Sequence, residues 1–283
     1  MKILVTGANG FIGSNIMKYL SNSGHTLFGC GRRPGKQADD RYFVCDLAND
    51  SLNLDVDVII HTAAISPSAK VGFNDYFINN VMVTKNLLGY AKRHNIKRII
   101  YMGAVSSYGE VRAALRENSP HNNPDDYGLT KYVAEKLVRD SGIPYYTLIL
   151  PGVVGMNCRD NWIMNTAQTL YSNQTLVYYN GQGMFNNILE VQDLCQFINK
   201  LLEEDLGESE TYLLGSSEMM TVEEVVCFLK DKFSSSSLLS ENQQNRNTFY
   251  LDVSKAVCNG FSPKPIKKTL EIVYNEIVSR NSS

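Results

Sequence analysis

The first 150 residues alternate short, wholly apolar runs with longer amphipathic ones. Residues 2–6, 26–28, 42–44, 56–61, 98–102 and 145–150 read as strands, and 11–23, 79–94 and 124–141 as helices between them. Strands that are apolar throughout, with no alternation of inward and outward positions, are those buried on both faces, and intervening helices supply the cover. Crossovers of this kind are right-handed. The pattern predicts an α/β fold with a Rossmann-like, doubly wound parallel sheet.

After Pro151 the rhythm changes. Residues 161–171, 191–204 and 265–279 read as helices, and 185–189 and 211–214 as strands. Thr221-Val222-Glu223-Glu224 has the spacing of a capping box and starts another helix. The serine run 234–237 and the polar stretch 241–248 read as surface loops, and no internal repeat is found. The expected organisation is a dinucleotide-binding domain over 1–155, with 185–205 packing back on it. Residues 156–283 form a smaller substrate-binding α/β cap region.

Composition narrows the function. Lys plus Arg is 27 and Asp plus Glu 29 in 283 residues, a net charge of −2, with 43% apolar and 20% charged residues. That balance suits a soluble globular protein. It argues against nucleic acid as partner, because neutralising phosphates needs a basic surface. The opening MKILVTGANG lacks the long apolar stretch of a secretory signal, and no window approaches the ~18 apolar residues of a membrane span. A cytoplasmic location with no membrane partner is expected. The six cysteines come no closer than Cys30 and Cys45, fifteen apart. No Cys-x-x-Cys pair exists, so no metal site is expected, and the thiols serve as small apolar side chains.

The clearest chemical signal lies between the first strand and the first helix. Gly7-Ala8-Asn9-Gly10-Phe11-Ile12-Gly13 is a Gly-x-x-Gly-x-x-Gly loop at a strand-to-helix junction. Glycines there permit a tight turn, close backbone approach to a pyrophosphate and close helix–sheet packing. The helix N-terminus adds free N–H groups and partial positive charge for the phosphates. At the end of strand two, Cys30-Gly31-Arg32-Arg33 carries no acidic residue for an adenosine ribose, while Arg32 and Arg33 suit a 2′-phosphate. NADP(H) is therefore expected over NAD(H). Asp46, followed by Leu47, is placed to meet the adenine amino group.

The chain resembles the extended short-chain dehydrogenase/reductases, or NAD-dependent epimerase/dehydratases, nearly end to end. The resemblance rests on the glycine loop, His61-Thr62-Ala63-Ala64, Asn80-Val81 with Asn86-Leu87-Leu88, and Tyr127-Gly128 with Lys131. It continues through Pro151-Gly152-Val153-Val154-Gly155, Val191 with Asp193-Leu194, Asp252 with Ser254-Lys255, and Gly260-Phe261 with Pro263. It implies that Thr62, Ala63, Ala64, Asn80, Met102, Tyr127, Lys131, Pro151 and Val153 join the glycine loop in holding the cofactor. It also implies a nucleotide-activated sugar as substrate and a homodimer.

Tyr127 and Lys131 are four apart on a predicted helix and share a face. A nearby ammonium favours the phenolate, so the pair suits proton exchange with a sugar hydroxyl. The family places a Ser or Thr four residues before the Tyr of its Val-Tyr-Gly segment, and its hydroxyl polarises the substrate oxygen. Here that position is Ala104. Ser106 replaces it if the strand stays regular; with a shifted register, Ser106 or Ser107 takes the site. Many relatives carry an Arg where this chain has Ile149, and another near Asn186 that grips the substrate diphosphate. Asn186 and Asn187 bring no charge, and Arg159 is the candidate replacement. His61 reads as structural, and Trp162 and Tyr178-Tyr179 as core packing.

The expected function is an NADPH-dependent reductase of a 4-keto nucleotide sugar. The alternatives are a C4 epimerase with bound cofactor, or a non-catalytic NADP-binding sensor or scaffold, the last motivated by Ala104.

Overall fold

The computed structural model describes residues 1–34, 41–50, 52–68, 70–158, 161–203, 208–244 and 248–282. In chain order the elements begin β1 (Lys2–Thr6), α1 (Phe11–Leu20), β2 (Thr26–Gly31), β3 (Tyr42–Val44) and β4 (Val58–His61). Next come α2 (Phe73–Tyr76), a π-helical stretch Phe77–Met82, α3 (Val83–Arg93), β5 (Arg98–Ala104) and a 3-10 turn Val105–Tyr108. There follow β6 (Ala114–Leu115), α4 (Asp126–Arg139), β7 (Tyr145–Leu150), β8 (Gly152–Val154), α5 (Trp162–Tyr171), β9 (Leu176–Tyr179) and β10 (Met184–Phe185). The rest are β11 (Ile188–Glu190), α6 (Val191–Glu203), β12 (Glu210–Leu213), β13 (Met220–Thr221), α7 (Val222–Lys232), β14 (Leu239–Asn242), β15 (Tyr250–Leu251), α8 (Ser254–Cys258) and α9 (Ile266–Asn281).

The main sheet has seven strands in the order β12-β7-β5-β4-β1-β2-β3. The strands around β1 pair in parallel: Thr6 lies opposite Cys30 of β2 and His61 of β4, and His61 lies opposite Tyr101 of β5. Strand order reverses beside β1, which sets the ends of β1, β2 and β4 around one crevice. This is the doubly wound sheet expected from the apolar runs.

The chain divides into two compact units. The first comprises Met1–Gly109, Pro120–Ile149 and Cys195–Tyr212. Its core packs Leu87 and Ala91 of α3 and Ala134 and Val138 of α4 with Leu4, Ile59, Ile99 and Tyr101 of the sheet. The second unit comprises Glu110–Ser119, Leu150–Leu194 and Leu213–Ser283. There Phe233 meets Tyr171 of α5 and Tyr274 of α9, and Lys264 pairs with the buried carboxylates of Glu190 and Asp193.

Several local expectations need correction. The serine run is the expected loop, with Ser234 and Ser236 exposed, but it is not surface throughout: Ser237 is 1% exposed, and the Ser235 hydroxyl donates to the Leu170 carbonyl at 2.6 Å. Buried hydroxyls are tolerated where they find such acceptors. Glu241 and Asn242 extend a strand beside β9 instead of opening a loop. The predicted strand 185–189 is split into β10 and β11, because Asn186 turns inward and bonds the Leu251 backbone. The capping box is present, with Thr221 and Glu224 bonding each other's backbone N–H. Among the described residues no helix is long and apolar enough to cross a membrane. No group of three or more His, Cys, Asp or Glu among them could hold a metal ion.

Candidate active site

In the first unit, Gly7 sits at φ +67, and the Gly10 N–H bonds its carbonyl at 2.8 Å. A Cβ on Gly7 would lie 2.8–2.9 Å from the Ala63 backbone and the Thr62 hydroxyl, and one on Gly13 would overlap the Gly7 carbonyl. Thr62 is itself held by a 2.7 Å bond to the Thr6 carbonyl. The helix therefore starts flush against the sheet. Gly10 caps it without a side-chain bond, so the N–H groups of the turn opened by Phe11 and Ile12 remain free for an anion.

Beside this loop runs a cleft of about 500 Å³, lined by Gly7, Gly31, Arg32, Cys45, Asp46, Leu47, Ala63, Ala64, Asn79 and Val83. A mostly apolar slot ending at a glycine loop and an uncapped helix fits a dinucleotide. The Arg32 guanidinium donates to Asn79 Oδ1 at 2.8 Å, which holds it at the cleft. The Arg33 side chain is exposed and is not among the lining residues; its carbonyl instead accepts from Asn9 Nδ2 and Tyr42 Oη. Asn9 thus ties the glycine loop to the end of β2. Asp46 lines the cleft while its carboxylate accepts from the Ala48 N–H and Asn49 Nδ2.

Asp125 caps α4 by accepting the Gly128 N–H at 2.7 Å. One turn in, Tyr127 is half-buried with the Tyr76 ring edge-on at 5.7 Å. Lys131, 5% exposed, donates from Nζ to the Met102 carbonyl at 2.6 Å and lies 4.4 Å from the centre of the Tyr101 ring. Met102 therefore acts here through its backbone, as the anchor of Lys131. Burial, opposed by Glu135, pulls Lys131 down to about 7. Burial also pushes Tyr127 above its ordinary value, reinforced by Asp125 and Tyr76. The expected lowering of Tyr127 by Lys131 is not found; burial sets the direction, and the Lys131 ammonium is spent on the Met102 carbonyl and the Tyr101 ring.

The segment after Ala104 departs from a regular strand. β5 ends at Ala104 and the chain enters the 3-10 turn, so the regular-strand route to a replacement hydroxyl is closed. The hydroxyls of Ser106 and Ser107 are both buried with no partner among the described residues. Ser107 is fully enclosed, whereas Ser106 is only half-buried. The Ser106 carbonyl presses on α4 where Gly128 follows Tyr127, and a Cβ at Gly128 would overlap it. Gly128 therefore lets Ser106 lie against the start of the helix that carries Tyr127 and Lys131.

Asn80 sits in the π-helical stretch, 2% exposed. Its Oδ1 accepts from the Ile65 N–H at 2.9 Å, and its Nδ2 donates to Thr130 Oγ1 at 3.1 Å. Asn80→Ala strands the Ile65 N–H, while the Thr130 hydroxyl keeps its bond to the Tyr127 carbonyl; the expected cost is about 1–3 kcal/mol, read by urea denaturation. A cost under ~1 kcal/mol would mean water replaces the amide. His61 is buried between Thr6 Oγ1 at 2.7 Å and Thr84 Oγ1 at 3.0 Å. The Thr84 hydroxyl proton is committed to the Asn80 carbonyl, so His61 Nε2 donates and its Nδ1 accepts from Thr6. Burial, with Lys131 adding to it, lowers His61 to about 3, and the neutral ring serves as a structural strut.

The second unit holds the remaining expected residues. Pro151 is buried, and Val153 pairs with Leu189 in β8 and β11. Ile149, at the end of the first unit, packs its Cδ1 over Gly103. Asn186 gives its whole amide to the Leu251 backbone and the Ser216 carbonyl, which leaves it no part in gripping an anion. Arg159 lies outside the described residues. Trp162 is 44% exposed and edge-on to Phe185, so it is not core; Tyr178 is 7% exposed and is. His121, Thr130 and Tyr42 support the site and carry no motif signal. Only the way the chain folds back brings them there.

A glycine-loop cleft and a Tyr–Lys pair on one doubly wound sheet define a dinucleotide-binding protein of the extended short-chain dehydrogenase/reductase class. Residues 3–215 match the NAD dependent epimerase/dehydratase family, and the chain belongs to it. It is 28% identical over 262 residues to an uncharacterized UDP-glucose epimerase, YtcB, of Bacillus subtilis, covering 82% of each chain. The structure of UDP-glucuronic acid 4-epimerase from Bacillus cereus in complex with NAD superposes with a TM-score of 0.85 at 26% identity, covering 99% of both chains. The same enzyme with UDP-glucuronic acid and NAD gives 0.85 at 25% identity, covering 99% of this chain and 100% of that one.

Proposed function

We propose that this protein is an NAD-dependent 4-epimerase of a nucleotide-activated sugar. The observation that carries the reading is the placement of Tyr127 and Lys131 on α4, anchored to Met102, in the unit that holds the glycine-loop cleft. The similarity to a UDP-glucuronic acid 4-epimerase over the whole chain supports epimerisation ahead of the NADPH-dependent reduction expected from the sequence. That neighbour holds NAD, so the NADP preference drawn from Arg32 and Arg33 gains no support from it.

The glycine loop, the free N–H groups of α1 and the cleft beside Arg32 and Asp46 would hold the cofactor. When bound, NAD supplies a reversible hydride acceptor and, oxidised, a positive charge that opposes the burial acting on Tyr127. Tyr127 removes the proton from the C4 hydroxyl and later returns it to the same oxygen on the inverted centre. Ser106 donates its otherwise unpaired hydroxyl to that oxygen. Lys131, fixed by the Met102 carbonyl, keeps a proton donor beside Tyr127.

Incubation with UDP-glucose, UDP-galactose and UDP-glucuronic acid tests the reading. Interconversion of C4 epimers without net consumption of nicotinamide cofactor is the expected result. Stoichiometric NADPH oxidation with a 4-keto nucleotide sugar would instead restore the reductase. Arg32→Ala checks the cofactor separately. Its guanidinium is engaged by Asn79, so NAD affinity is expected to change less than ~3-fold, whereas a phosphate-gripping Arg would make NADP binding collapse tenfold or more. Titration of both nucleotides distinguishes the two.

A further inference from the structure

The 3-10 turn Val105–Tyr108 follows directly on β5. The Gly109 N–H closes it on the Ser106 carbonyl at 3.1 Å, and neither serine hydroxyl has a partner among the described residues. Geometry of this kind is weaker than that of an α-helix. From outside, His121 clamps it. The His121 Nδ1 lies 2.8 Å from the Ser107 carbonyl, so that nitrogen carries the proton and donates. The ring is stacked on Tyr108 of the turn, 4.5 Å between centroids and 14° between planes. On its other side lies Tyr132 of α4, with centroids 3.9 Å apart. Tyr132 immediately follows Lys131. His121 is therefore a spacer between the turn that carries Ser106 and the helix that carries Tyr127 and Lys131. The neighbouring Asn122 N–H donates to the Tyr108 carbonyl at 2.9 Å and closes the same strap.

We propose that His121 is a positioning residue that fixes the Val105–Tyr108 turn against α4, so that Ser106 takes over the polarising role left open at Ala104. The proposal rests on the epimerase reading. It assigns His121 no contact with substrate. Its effect is on geometry, and displacement of a polarising donor by about 1 Å is enough to lower turnover by 10–10²-fold.

Two substitutions separate its two contacts. His121→Phe keeps a ring between Tyr108 and Tyr132 but loses the donor. His121→Asn places an N–H near the former Nδ1 but loses the stack. With the UDP-sugar that the wild type epimerises, His121→Phe is expected to lower kcat about tenfold or more with KM within ~2-fold. His121→Asn should recover most of the loss. In the double variant with Ser106→Ala, kcat should fall no further than in Ser106→Ala alone, because His121 acts through that hydroxyl. Unchanged kcat in His121→Phe overturns the proposal. So do additive losses with Ser106→Ala, or parallel losses in both His121 variants that track a lowered Tm, which mark a purely structural residue. A wild type inactive on all three UDP-sugars overturns the epimerase reading itself, and this role with it.

Discussion

Replacing Tyr127 by Phe is expected to lower kcat by about 10²–10⁴-fold, the range for loss of a positioned acid–base group. The ring is half-buried with Tyr76 edge-on, so Phe preserves the packing and removes only the hydroxyl. NAD binding and Tm should therefore stay close to wild type. Burial raises Tyr127, with Asp125 and Tyr76 adding to it, so the phenolate gains population only as pH rises. Turnover in the wild type should rise with pH as the phenolate forms, and that rise should be absent in the Phe variant. Measuring kcat from pH 6 to 10 for both proteins decides the matter. A variant that keeps more than a tenth of the activity with the same pH profile would remove Tyr127 from the reaction.

Lys131→Met should lower kcat on the order of 10²-fold, since it removes the amine one turn of α4 from Tyr127. It has a second consequence, in stability. Burial lowers Lys131 from 10.5 to about 7 in the folded protein. Between those values the unfolded chain carries a proton on this residue that the folded chain does not. Stability then rises with pH across the window, by about 1.4 kcal/mol per pH unit from this group. Below pH 7 both states are protonated and the full cost of burying the ammonium is present. Urea denaturation of wild type and Lys131→Met at pH 7, 8 and 9, without added nucleotide, isolates the difference. It should move in favour of the wild type by roughly 1 kcal/mol per unit. A flat difference would mean that the Met102 carbonyl and the Tyr101 ring keep the ammonium charged throughout.

The glycine loop was legible because all of its requirements are local. A strand, three glycines and a helix follow one another within thirteen residues, and the sterics act between neighbours in sequence. Tyr127 and Lys131 were legible for the same reason, since a spacing of four fixes a shared helix face. The replacement for the hydroxyl missing at Ala104 could be narrowed to Ser106 or Ser107 and no further. Strand gives way to a turn where Gly128 admits the Ser106 carbonyl and His121 reaches back fourteen residues to the Ser107 carbonyl, contacts that no local pattern records. Asn186 shows the same limit. Its sequence position suggested a weak substitute for an arginine, but its amide is consumed by backbone 65 residues away.

Arg32 and Arg33 were read together as a phosphate grip, yet they part company in space. Arg32 faces the cleft in the hold of Asn79, while Arg33 contributes a carbonyl to Asn9 and Tyr42. The serine run after α7 is a loop as expected, but the burial of Ser235 and Ser237 was hidden because only distant acceptors such as the Leu170 carbonyl make it tolerable.

By itself the sequence determined the doubly wound sheet, the dinucleotide loop and the Tyr–Lys pair, because hydrophobic period, glycine sterics and helical spacing are short-range. Tertiary structure alone decided that the chain turns after Ala104, how Lys131 is anchored, and that burial sets the direction of the proton affinities of Tyr127 and Lys131. Desolvation and close approach depend on atoms brought together from distant parts of the chain, and no local pattern records them.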